Sequence, residues 1–141
     1  PHDDVLSSEY HNMAKCYEGL GDFKKSLSSY EKSVEIHRYL YEEGHEIHVG
    51  RLAGLGRMQH RFGMYAEAVK NLQSALTLYE KIRKREHKKD IKEGKVLRYI
   101  ALSYYALRDF NTSLKFLLRA VADFHILIEL ENPTFCQVMD E

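Results

Sequence analysis

Apolar residues recur along the chain at intervals of three and four, in stretches divided by short polar breaks. That spacing marks amphipathic helices. It predicts helices near 4–20, 23–43, 46–62, 65–87, 91–107 and 110–131, with a truncated start of another at 134–141. The stretches also resemble one another. Small residues Ala14, Gly56 and Ala101 lie 42 and 45 positions apart, and Phe23, Tyr65 and Phe110 keep the same two spacings. So do two further small columns, Ser26, Ala68 and Ser113, and Ser33, Ala75 and Ala120. Large apolar residues fall in the same register: Met13, Leu55 and Ile100; Leu27, Val69 and Leu114; Val34, Leu76 and Val121. Self-similarity at a fixed period of this length is the signature of a repeat array. Each unit holds two helical patterns around a break, at Gly21-Asp22, Gly63-Met64 and Arg108-Asp109. The chain is read as a single array over 1–141, with repeats at 4–43, 46–88 and 90–131 and the start of a fourth at 133–141.

Local chemistry fits these boundaries. Asp22 and Asp109 suit N-caps, because a carboxylate accepts the free amides of the first turn. Gly44 suits a helix end, Asp90 and Glu93 have capping-box spacing, and Asn132-Pro133 places a cap before a proline at a first helical position. The second helix of each unit is long, since Ile36, Leu40, Leu78, Ile82 and Leu127 extend its apolar stripe. Helices joined by short loops pack antiparallel. One pair leaves an apolar face uncovered, so units stack. The small columns are expected to allow close approach, within a unit at Ala14, Gly56 and Ala101 and towards the next unit at the Ser and Ala columns of the second helices, Ser26, Ala68 and Ser113 with Ser33, Ala75 and Ala120. The aromatic residues at repeat spacing are expected in the core.

Composition narrows the class. The chain has 141 residues, 44% hydrophobic and 30% charged, with 8 Gly and 2 Pro. A chain this long buries about 68% of its unfolded surface, and so few turn residues exclude a turn-rich all-β domain. No apolar run reaches the roughly 18 residues of a membrane span. Opening on Pro1-His2-Asp3-Asp4, without Met, the sequence is expected to be a piece of a longer protein with no signal peptide. Two distant cysteines, Cys16 and Cys136, make no disulfide framework, so a reducing, cytoplasmic setting is expected. Net charge is zero but uneven: −5 over 1–47, +9 over 48–108 and −4 over 109–141. A basic middle leaves room for a local surface that attracts an acidic partner.

The columns, read residue by residue, resemble the tetratricopeptide repeat family. The likeness is carried by Tyr10-His11-Asn12-Met13-Ala14-Lys15-Cys16-Tyr17, Gly21-Asp22-Phe23, Ser26, Tyr30 and Ser33. It recurs in Leu52, Leu55-Gly56, Gly63, Tyr65, Ala68, Leu72 and Ala75, and again in Leu97, Ile100-Ala101, Tyr104, Asp109-Phe110, Ser113, Leu117 and Ala120. The usual unit is about 34 residues. Periods of 42 and 45 are similar to the long-repeat branch of kinesin light chain and the GoLoco spindle-orientation adaptors. His2-Asp3-Asp4-Val5 resembles the opening of kinesin-light-chain repeats, and Asn132-Pro133-Thr134-Phe135 the start of another unit. Of the groove asparagine typical of that branch only Asn12 is present, with Gly54 and Tyr99 at the equivalent positions. The resemblance implies an all-α, right-handed α-solenoid of stacked antiparallel helix pairs that binds a protein or peptide.

In such a stack the first helices line a concave face, and residues one turn apart point into it. These are His11, Asn12, Lys15 and Glu18; Ala53, Gly54, Arg57, His60 and Arg61; and Lys95, Arg98, Tyr99, Leu102 and Tyr105. Five cations face one carboxylate, which suits an acidic peptide with one bulky apolar anchor. Gly54 is expected to open space beside Tyr99, with Leu102 and the aromatics flooring the groove. No catalytic constellation is present. Gly54-Leu55-Gly56 lies within a helix and lacks a third glycine, so it is no phosphate loop. His45-Glu46-Ile47-His48 lacks a third ligand, and neither metal nor cofactor is expected. Cys16 reads as a structural thiol. The run Lys81–Lys89 carries no interleaved aromatics. It reads as a solvated helix end, with nuclear import or nucleic-acid binding as lesser alternatives. Head-to-tail self-assembly is the alternative to peptide binding.

Overall fold

A computed structural model describes residues 2–41 and 45–131. It contains six helices: α1 His2–Gly19, α2 Phe23–Leu40, α3 His48–Arg61, α4 Tyr65–Glu86, α5 Ile91–Ala106 and α6 Phe110–Glu131. No strand occurs among the described residues. The six helices predicted between 4 and 131 are found, with ends displaced by at most three residues. The helices expected to end or begin at Gly44, Asn132-Pro133 and 134–141 lie outside the described residues. Packing pairs α1 with α2, α3 with α4 and α5 with α6. The pairs are joined by α2 on α3 and α4 on α5, and α3 also touches α5. The chain is therefore an all-α solenoid.

The three breaks within units share one mechanism. Gly21, Gly63 and Arg108 take positive φ values of 79°, 75° and 67°. At each, the amide of the following residue reaches back to the last turn: Asp22 to the Tyr17 carbonyl (2.9 Å), Met64 to Gln59 (2.9 Å), Asp109 to Tyr104 (3.0 Å). A second bond joins each left-handed residue to the carbonyl three before it. This is the Schellman closure, which normally uses glycine because a Cβ disfavours that conformation. Asp22 then accepts from the Lys25 amide, Asp109 from Thr112 and Asp90 from Lys92. Glu93 departs from capping-box expectation. Its carboxylate is buried and lies 3.5 Å from the Arg83 guanidinium instead of returning to the helix start.

The small columns sit at the closest helix contacts. Ala14, Ala68, Ala75 and Ala101 are fully buried. Ser26 donates to the Ala14 carbonyl (2.8 Å) and Ser113 to Ala101 (2.7 Å), so the same bond recurs in the outer units. A Cβ on Gly56 would stand 2.5 Å from Leu72 Cγ. Ser33 also points to its own unit's first helix, donating to the Ser7 carbonyl at 2.7 Å, so all three serines turn to their own unit and not to the next as expected. The core runs through the middle, around Leu52, Leu55, Met58, Leu72, Leu97 and Ile100. The column positions at the ends differ from expectation. Met13, Phe110, Leu114 and Val121 are 43–60% exposed, whereas Val34, Leu55 and Leu76 are buried. Among the described residues the outer units have a neighbour on one side only, which leaves these four positions open, while Val34 and Ile100, also in outer units, stay covered.

Candidate functional site

The concave side of the stack holds a cavity of about 500 Å³ between α1, α3 and α5. Of the predicted groove residues it is lined by His11, Lys15, Arg57, Lys95, Arg98 and Tyr99, together with Glu18 and Ala53. These positions recur at one-turn intervals, which brings them to one face of each helix. The lining also includes Tyr30, Gly50, Tyr79, Lys92 and Val96, which the sequence reading omitted. Lys92 lies one turn before Lys95 and could have been found by extending that stripe. Tyr30 and Tyr79 belong to second helices, and Tyr30 reaches the cavity past Gly54. The one available signal was the helical Gly54, a gap that a ring can fill.

Gly54 is the main correction. It does not open the groove beside Tyr99. It is buried beneath the Tyr30 ring, and a Cβ there would stand 2.2 Å from Tyr30 Cε1. Gly54 thus lets Tyr30 cross α3 and donate to Glu18 Oε1 at 3.0 Å. The same carboxylate oxygen accepts from Arg57 Nη2 at 2.9 Å. Burial works against charge in all three groups, yet the bonds win for two of them. Arg57 holds its proton more firmly than usual, and the Glu18 carboxyl is held below its ordinary range. The Tyr30 hydroxyl is pushed up to about 12, first by burial. Arg57 is therefore a fixed, internally compensated cation.

The remaining predicted residues lie elsewhere. Asn12 is exposed on α1 and does not line the cavity. His60 is turned to α5, with Nδ1 2.9 Å from Ser103 Oγ and its ring edge-on to Tyr65 and Tyr99. Arg61 stacks over the Phe23 ring at 4.3 Å. Leu102 is half-buried away from the cavity, and the exposed Tyr105 meets Phe110 edge-on. Near the ends of α3 and α5, aromatic partners thus take His60, Arg61 and Tyr105 out of the set.

The cavity's field is positive. Lys15, Lys92, Lys95 and Arg98 make no ion pair among the described residues, and Arg98 lies 5.7 Å from the Tyr99 ring centre. His11 is lowered to about 4, first by burial and then by Arg51, Lys15 and Arg57. His60 is lowered by burial and by Arg61 and Arg98.

The other candidates resolve into structural roles. His48 from the His45–His48 pair is buried, stacked on the buried His37 at 4.5 Å and 9°. Neither ring has a hydrogen-bond partner among the described residues. No group of three His, Cys, Asp or Glu side chains among the described residues is placed to hold a metal ion. In the basic run, Arg83 meets Glu93, Arg85 pairs with Glu46 and Glu86, and Lys89 reaches Asp123 at 2.7 Å. Arg83 and Lys89 thus reach the third unit, whereas Arg85 pairs within its own. Cys16 is exposed on α1, not packed as expected; Cys136 lies outside the described residues. No described helix is long and apolar enough to cross a membrane.

A solenoid of helix pairs with a lined concave face defines a protein-interaction scaffold. A family model described as tetratricopeptide repeat matches residues 5–81, and the chain belongs to that family. No curated protein sequence matches it. Among solved structures, the TPR domain of Arabidopsis FLU superposes with a TM-score of 0.69 at 20% identity, over 88% of this chain and 98% of that one. BtubC (BKLC) from P. vanneervenii gives 0.71 at 17% identity over 86% of this chain. The chain spans 47% of BtubC. The N-terminal domain of stress-induced protein-1 from C. elegans gives 0.61 at 14% identity, with 88% of each chain covered.

Proposed function

We propose that the chain is a non-catalytic adaptor that captures an acidic segment of a partner protein in the concave cavity, in a reducing intracellular compartment. The observation that carries this reading is the charge imbalance around the cavity: Lys15, Arg57, Lys92, Lys95 and Arg98 against Glu18 alone. Tyr99, Val96 and Ala53 supply apolar wall for one bulky anchor residue, which would contribute most of the binding energy. The test is a titration of acidic and basic peptides, each with and without an aromatic residue, against wild type and Lys95→Glu/Arg98→Glu. Acidic aromatic peptides are expected to bind best and to lose about tenfold or more in the folded double variant. Equal binding of all peptides, or an indifferent variant, would sink the reading.

Self-association is a second reading, favoured by the open column on α6, where Leu114, Leu118 and Val121 are 55–61% exposed. Both end segments are acidic, −5 over 1–47 and −4 over 109–141. A head-to-tail contact would therefore strengthen as salt screens the repulsion. Light scattering across concentration and salt tests it; a monomer throughout removes it.

A further inference from the structure

We propose that the cavity recognises a phosphorylated side chain of its partner. The inference rests on the acidic-segment reading and narrows it. A cavity of about 500 Å³ falls in the range of small-ligand pockets. It has room for a few side chains, so the charge carried by each one counts. Its uncompensated charge is large for that space. Arg57 is already matched by Glu18, but Lys15, Lys92, Lys95 and Arg98 have no ion pair among the described residues.

An entering carboxylate brings one charge and two oxygens in a plane, a shape that a single arginine fork satisfies. A phosphoryl group brings about −1.5 to −2 charges and three strong acceptors on a tetrahedral centre. Here the cations converge from different helices: Lys15 from α1, Arg57 from α3, and Lys95 and Arg98 from α5. Three of the four free cations are lysines, which bind phosphate as point charges without a preferred plane. Nor is the charge on α5 inherited from the repeat pattern. Lys95 occupies the column of Ser8 and Gly50, and Arg98 that of His11 and Ala53. The third unit has placed cations where the other two have none that is permanent.

The probe is a pool of short, labelled peptides with mixed flanks, one aromatic residue and a fixed central residue: serine, glutamate, phosphoserine or phosphotyrosine. Binding is read by fluorescence anisotropy at one ionic strength. At least one phosphorylated pool is expected to bind about tenfold or more tighter than the glutamate pool. That gap should close in Lys95→Gln/Arg98→Gln, shown to be folded by circular dichroism, and persist in Lys84→Gln/Lys88→Gln on the far basic run. Glutamate and phosphorylated pools binding alike would overturn the phosphoryl inference and leave the acidic-segment reading standing. Failure of every acidic pool to bind would overturn both. A gap that survives in the cavity variant would place phosphate recognition elsewhere and overturn the inference as well.

Discussion

Gly54 shows how the cavity's shape depends on a missing side chain. An alanine there gains helix propensity of about 1 kcal/mol, but its Cβ would stand 2.2 Å from the Tyr30 ring. Overpacking of that kind costs about 1–3 kcal/mol. Gly54→Ala is therefore expected to lower stability in urea denaturation and to weaken acidic-peptide binding by breaking the Tyr30–Glu18–Arg57 chain. Gly19 is the control: nothing lies within 4 Å of a Cβ there. Gly19→Ala should be neutral or mildly stabilising. If both substitutions behave alike, the packing account of Gly54 is wrong. Glu18 tests the charge account separately. Glu18→Gln removes the one carboxylate in the cavity lining and should tighten acidic-peptide binding several-fold.

At the level of the helices, the repeated Schellman closure exposes a weak point. Gly21 and Gly63 take the left-handed position without strain, but Arg108 takes it with a side chain. The left-handed conformation costs an L-residue roughly 1–2 kcal/mol, partly offset because glycine is freer in the unfolded chain. Arg108→Gly is expected to raise stability by about 0.5–1 kcal/mol, read as a higher urea midpoint with unchanged slope. Arg108 is exposed and makes no ion pair among the described residues, so little is lost with its side chain. A lower midpoint would mean that the arginine contributes something its geometry does not reveal.

Across the stack, acid should loosen the join between the first two units. His37 on α2 and His48 on α3 are buried, stacked and without hydrogen-bond partners among the described residues. Both are lowered from 6.5 to about 4, first by burial, then by Arg51 and His45 around His37, and by His37, Arg38, Arg51 and His45 around His48. Asp4 alone opposes this at His37. Between pH 6.5 and 4 the unfolded chain therefore binds more protons than the folded one. Stability is full above pH 6.5 and falls as pH drops towards 4, by on the order of a few kcal/mol for the pair. Urea midpoints at pH 7 and pH 4.5 check this. The loss should shrink in His37→Phe; an equal loss in that variant would move its cause to other groups.

The repeat register, the six helices and their breaks were legible because each depends on residues near in sequence: apolar spacing, small residues at helix contacts and left-handed turns. The family likeness followed from the same columns. The concave stripe was partly legible, since helical period alone brings His11, Lys15, Arg57, Lys95 and Arg98 to the inner face. What packing between units decided was the fate of residues sharing one column. Asn12 is exposed, Gly54 is buried under a ring and Tyr99 lines the cavity. The periodic signal is identical for all three; their different surroundings come from side chains tens of residues away. Tyr30 entered the site, and His60 and Arg61 left it, for the same reason. A helix sets the direction in which a side chain points, but the neighbouring helix determines whether it meets a ring, a carboxylate or open space.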